Sequence, residues 1–264
     1  HVVYAGVHGY GERGPYAGAP AYDDVIQGQS GNADLMRRLV GEPRYLPTIM
    51  ADKTCALVAA YSVMAALIER ERSGRGQFVE IPMFETMCAY NLAEHLFGHT
   101  FDPPEGPMGY SRVLAPWRRP YETLDGHICM LAYTDGQWRR FWREAGRAEL
   151  ADDSRFVSLA SRSENIAELY RIAAACVADR TTAAWMATLR ALEIPAAPIT
   201  ALEDLPDDPH LAAIGFFRKA RHPTEGAIVM PDSPVRFART PAEIARLQPK
   251  LGQHSVEILR EAGL

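Results

Sequence analysis

Cysteine is scarce and scattered: Cys55, Cys88, Cys129 and Cys176 form neither a Cys-x-x-Cys pair nor a Cys/His ligand spacing. This argues against a zinc site and a disulfide framework alike, and a reducing cytoplasm is the expected compartment. No apolar run reaches the roughly 20 residues that span a bilayer. The longest nearly apolar stretch, residues 55–68, already contains Tyr61 and Ser62, so no membrane segment is expected. A basic excess is also missing. With 28 Lys and Arg against 33 Asp and Glu, a net charge of −5 and a pI near 5.9, the chain lacks the cationic footprint of a nucleic-acid binder. Repeats, low-complexity tracts and a signal-peptide pattern are absent too. The histidines are dispersed, and His95 and His99, four apart, have no third ligand nearby in sequence, so no metal is assigned.

What is present is ample material for a core, with 47% of 264 residues apolar. Residues 1–7 read as a buried strand, so the chain is expected to enter a fold already under way. Glycines 9, 11 and 14 then mark a loop at a strand end. Residues 51–72 combine strong helix formers with a charged tail and stop at Gly74, which predicts one long helix. A strand over 77–83 and a helix over 84–97 follow, an α/β arrangement. Between 98 and 120 the composition turns to Pro, Gly and aromatics without a period, marking a crossing segment or active-site loop. The turn Asp125-Gly126, a strand over 127–132 and the aromatic stripe Trp138, Phe141 and Trp142 open a second, smaller α+β domain. Its helices are predicted over 166–178, behind a capping box Ser161/Glu164, and over 181–192. A hairpin around 220–230 and a helix over 255–262 close the chain. The domain reading is therefore 1–97, 98–120, 121–219 and 220–264.

Asp52 stands where a Pro-containing approach meets the long helix, exposed to the helix dipole and to free backbone N–H groups. From position alone it is either a helix cap or a reactive carboxylate. Cys55, one turn on, has no neighbour in sequence to lower its pKa and reads as a small buried residue. The run from Gly9 to Gly14 nearly matches a phosphate loop, but Pro15 to Pro20 cannot open the helix that a dinucleotide fingerprint needs. Tyr22, Asp23 and Asp24 read as solvated loop residues.

The order of these pieces resembles the class III CoA-transferase family, of CaiB/BaiF type. The resemblance rests on Gly9-Tyr-Gly-Glu-Arg-Gly-Pro-Tyr16, Pro20-Ala-Tyr-Asp-Asp-Val-Ile-Gln-Gly-Gln-Ser-Gly31, Gly41-Glu-Pro43 and Met50-Ala-Asp52. It continues through residues 65–80, where Ser73-Gly-Arg-Gly-Gln77 stands, then Tyr121-Glu-Thr-Leu-Asp-Gly126, Ile194-Pro-Ala-Ala-Pro198 and Gly252-Gln-His-Ser-Val-Glu-Ile-Leu259. It implies a Rossmann-like large CoA-binding domain, here without its N-terminal segment, a smaller domain, and an interlocked homodimer. It also implies Asp52 as the catalytic aspartate, Tyr22 and Asp23 beside it, Met83 near the pantetheine end, and Gly106 and Gly109 in a mobile glycine-rich loop. Some relatives have a Lys near position 20 that this chain lacks.

The activity implied is transfer of CoA between carboxylic acids through aspartyl anhydride and aspartyl-CoA thioester intermediates. CoA thioester is then a substrate, a free carboxylic acid the acceptor, and no cofactor is tightly bound. A carboxylate nucleophile suits this chemistry because its acyl adduct stays energy-rich, and N–H groups near Asp52 are expected to hold the oxyanion. An α-methylacyl-CoA racemase of the same fold is the rival; such relatives carry a His where this chain has Tyr22. A non-catalytic partner subunit is the second rival. Arg112, Arg118 and Arg119 are candidates for binding a second carboxylate.

Overall fold

The apolar residues near the N-terminus form strand β1 (Tyr4–His8) in the computed structural model, which describes residues 1–264. Helices α1 (Asp23–Gln29), α2 (Asn32–Val40) and α3 (Met50–Ser73) follow, then strand β2 (Phe78–Pro82) and α4 (Met83–His95). Strand β2 pairs parallel to β1, Tyr4 opposite Phe78 and His8 opposite Pro82, so the three helices form the crossover that a parallel pair requires. Helix α3 ends where expected, at Gly74 with φ of 72°, a left-handed conformation that a side chain would strain.

The sequence reading and the structure differ in this half at three points. Residues 22–24 are not a loop: Tyr22 precedes α1 and Asp23 and Asp24 stand in its first turn, and while Tyr22 and Asp24 are exposed as read, Asp23 is buried. Strand β1 is not buried, with Tyr4 and Val7 respectively 65% and 51% exposed, because the parallel sheet it belongs to has two strands and is left partly uncovered. Helix α3 runs for 24 residues and is, by length and composition alone, long and apolar enough to cross a membrane, which the shorter apolar stretch in the sequence does not suggest. It packs against α1, α4 and β2 on one side. Leu57, Tyr61, Met64 and Ile68, on the other, are each more than half exposed.

A 3₁₀ turn (Phe97–Thr100) starts the crossing segment, which is otherwise irregular. Beyond it come β3 (Tyr121–Glu122), β4 (His127–Met130), α5 (Asp135–Glu144), α6 (Leu159–Glu164), α7 (Ile166–Val177), α8 (Thr182–Ala191) and β5 (Ala196–Pro198). The three strands form one antiparallel sheet in the order β3-β4-β5. The aromatic stripe is the heart of this half: Phe141, Trp142 and Trp185 are fully buried, and the Trp185 indole donates to the Val177 carbonyl at 2.7 Å. The capping box lies three residues earlier than the sequence places it. Ser158 and Ser161 cap each other's backbone and start α6, and Asn165, which precedes α7, gives it no side-chain cap.

Two cores result, one drawn from Tyr10, Ile26, Ala51, Cys55, Met83 and Met87, the other from residues between 115 and 194. Both lie in a first compact unit, residues 1–198. The second unit, residues 199–264, contains α9 (Pro209–Ala213), the hairpin β6 (Phe217–His222) and β7 (Gly226–Pro231), and α10 (Ser255–Glu261). The division thus precedes the 219/220 boundary read from sequence, which falls inside β6.

Candidate active site

The first turn of a helix leaves backbone N–H groups without intrahelical partners. In α3 the residue before the helix, Ile49, has no side chain able to cap them. The carboxylate of Asp23, from the start of α1, does so instead: its Oδ1 accepts from the Ala51 N–H at 2.7 Å and the Asp52 N–H at 3.2 Å. Its Oδ2 accepts from the Gln27 side-chain amide at 2.7 Å. Gln27 also donates to the Thr48 carbonyl at 3.1 Å and accepts from the Leu46 N–H at 2.9 Å, stapling the approach segment to α1. Asp23 and Gln27 are 6% and 1% exposed, and the carboxylate is tolerated there because it is so fully hydrogen-bonded.

This arrangement decides the role open to Asp52. It occupies the third helical position, its own N–H goes to Asp23, and its carboxylate is exposed without a hydrogen-bond or ion-pair partner, so it is not the cap. The N–H groups expected to hold an oxyanion are also accounted for: those of Ala51 and Asp52 are taken by Asp23. Tyr22, 83% exposed, immediately precedes Asp23. Met83 is buried in the first core beside Cys55, whose thiol lies 3.9 Å from the Met83 carbonyl. Burial, and next the nearby Asp52 charge, push the Cys55 thiol up, which disfavours the reactive thiolate.

The glycine loop residues do not join this group. The Gly109 N–H bonds to the His95 carbonyl at 2.8 Å, and the Tyr110 N–H to the His95 ring at 3.2 Å, both at the C-terminal end of α4. Met83 starts the same helix, so the two ends are about 18 Å apart at 1.5 Å per residue. Gly106 packs against Gly98, where an added Cβ would come within 2.5 Å of the Gly106 backbone. Arg38 of α2 holds the Met108 carbonyl at 3.1 Å. In this chain the segment is fastened to α2 and α4, away from Asp52.

The Gly9 to Gly14 segment is bonded to β2 and the start of α4. Gly11 donates to Glu85 at 2.9 Å and the Gly9 carbonyl accepts from Phe84 at 3.0 Å. Gly9 itself lies so close to Ala21 that a Cβ would meet it at 2.7 Å. Sequence reasoning missed the burial of Asp23; the signal was present in the acidic first turn ahead of Val25 and Ile26.

The model of CoA-transferase family III matches residues 1–255. A mouse succinyl-CoA:glutarate CoA-transferase is 29% identical over 264 residues, covering 99% of this chain and 60% of that protein. A succinate–glutarate CoA-transferase from Agrobacterium fabrum is 27% identical, covering 98% and 65%. This chain therefore spans under two thirds of the length of these relatives. A solved CAIB/BAIF family protein from Brucella suis superimposes with a TM-score of 0.73 at 27% identity, covering 98% of this chain and 68% of that one.

Two outcomes follow from the geometry. Asp23→Ala destabilises the protein by about 2 kcal/mol in chemical denaturation, since two N–H groups lose their acceptor, whereas Asp52→Asn stays within about 0.5 kcal/mol of the parent. With a thiol alkylator at neutral pH, peptide mass mapping finds the exposed Cys129 modified first, and Cys55, Cys88 and Cys176, all with thiols pushed up chiefly by burial, modified late.

Proposed function

This chain belongs to CoA-transferase family III, and from that membership we propose that it moves coenzyme A from an acyl-CoA to a free carboxylic acid, with Asp52 as nucleophile. The observation that carries the choice of residue is the exposed, unpartnered carboxylate of Asp52 on a helix start already capped by Asp23. A carboxylate free of partners keeps its full nucleophilicity, and the capped helix start fixes the backbone that bears it.

The reaction proceeds in balanced steps. An Asp52 oxygen attacks the thioester carbonyl, the C–S bond breaks, and CoA thiolate leaves behind a mixed anhydride. The thiolate then attacks the aspartyl carbonyl, releasing the donor acid and forming an aspartyl-CoA thioester. The acceptor carboxylate attacks that carbonyl and displaces the thiolate. Attack of the thiolate on the acceptor's acyl carbon releases the new acyl-CoA and restores Asp52. Tyr22, with its phenol exposed just ahead of Asp23, and Met83, buried beside Cys55, border the reacting groups in this reading. The relatives named for succinate and glutarate support small dicarboxylic acids as donor and acceptor.

An anhydride must be shielded from water. The open surface at Asp52, the uncovered β1 and the apolar face of α3 support a working form in which an interlocked homodimer supplies cover. The compartment is cytoplasmic in this reading, in keeping with four free cysteines. Racemase chemistry needs a second base beside the aspartate, and Tyr22 stands where the resemblance puts that His.

The full-length protein, incubated with succinyl-CoA and trapped with hydroxylamine, yields a hydroxamate on the Asp52 peptide by mass spectrometry, and Asp52→Asn lowers CoA exchange by about 10³-fold or more. Epimerisation of a 2-methylacyl-CoA without an acceptor, Asp52 remaining unmodified, would establish the racemase instead; neither reaction would indicate a non-catalytic subunit. Sedimentation of the same protein gives twice the chain mass.

A further inference from the structure

A cavity of about 480 Å³ opens between the crossing segment and the second core, in the size range of small-molecule sites. Three arginines line it, Arg112, Arg118 and Arg119, and no Asp or Glu does. None of the three forms an ion pair, although the chain carries a net charge of −5 and pairs many of its other arginines. Unpaired cations gathered on one concave surface of an acidic protein are suited to a ligand's negative charge.

Arg112 is built into place. Its Nε donates to the Tyr170 hydroxyl at 3.1 Å, and its guanidinium carbon sits 4.9 Å from the centre of the Tyr133 ring. The Tyr170 hydroxyl fixes Nε and the ring covers one face; the Tyr110 hydroxyl lies near the guanidinium too, and neither Nη1 nor Nη2 forms a hydrogen bond, so both can donate to a ligand. Together they match a planar carboxylate with two parallel hydrogen bonds. No helix start lines this cavity, so the backbone N–H cradle found at many phosphate sites is missing here. The remaining wall is largely aromatic and aliphatic, including Val113, Met130 and Leu131, which suits a carbon chain attached to the acid.

We infer that this cavity is a carboxylate-binding site for a small dicarboxylic acid, with Arg112 gripping one carboxylate and the exposed Arg118 and Arg119 attracting the other. Asp52 does not line the cavity, and occupation requires no chemistry there. The site therefore stands or falls separately from the transferase reading.

Cys129 is exposed and lines the same cavity, which makes its alkylation rate a local reporter. In the full-length protein, glutarate slows Cys129 labelling saturably, equally in the parent and in Asp52→Asn. Arg112→Gln raises the half-protecting glutarate concentration at least about tenfold, the loss expected for a charge-assisted pair. Arg112→Lys, which keeps the charge and loses the fork, fails to restore it while melting at the parent's temperature. Unaltered labelling at saturating glutarate, or undiminished protection in a folded Arg112→Lys or Arg112→Gln protein, overturns the site. Equal protection by inorganic phosphate would reduce it to a general anion patch, and equal protection by butyrate would remove the second carboxylate from the assignment.

Discussion

The Asp23 carboxylate, buried at the start of α1 and bonded to the first turn of α3, is the contact on which the candidate site depends. It substitutes for the cap that Ile49 cannot provide, and it fixes α1 against α3 across a sequence separation that no local motif bridges. Gln27 extends the same anchor to residues 46–48. One consequence is chemical. Because the helix-start N–H groups are satisfied from outside, Asp52 is relieved of structural duty and its carboxylate faces outward.

The first unit distributes its chemistry unevenly. Asp52, Asp23, Tyr22 and Met83 gather near the starts of α1, α3 and α4. Gly106 and Gly109 are fastened at the far end of α4, and the arginine cavity belongs to the crossing segment and the second core. The two cores differ in kind as well. The second is rich in aromatics and closed around Trp142 and Trp185, whereas the first leaves much of β1 and a face of α3 in contact with water. Parallel strands and long apolar helices are stable when covered on both sides, so the first half is the part that gains most from further layers.

Much of this was legible along the chain. The run of strong helix formers and the Gly74 stop marked the extent of α3 nearly to the residue, and the aromatic spacing marked α5, because these signals are local. The burial of Asp23 was hidden: an acid after a Tyr reads as solvated until its partners, twenty-eight and twenty-nine residues away, are brought to it. The capping box was placed three residues late because Ser161 and Glu164 match the usual Ser-x-x-Glu pattern, whereas the box that forms pairs Ser158 with Ser161. The extent of the crossing segment's attachment to α2 and α4 was likewise invisible, since it consists of backbone bonds over long separations.

The sequence by itself determined the elements, the ordered motifs that resemble family III, and Asp52 as the acid to examine, because periodicity, turn chemistry and motif order are properties of neighbouring residues. Tertiary structure alone decided that Asp23 is the cap and Asp52 is free, that the glycines lie away from Asp52, and that Arg112 is held by Tyr170 and Tyr133. Each of these depends on which distant groups satisfy a hydrogen bond or a charge, and that pairing exists only once the chain has folded.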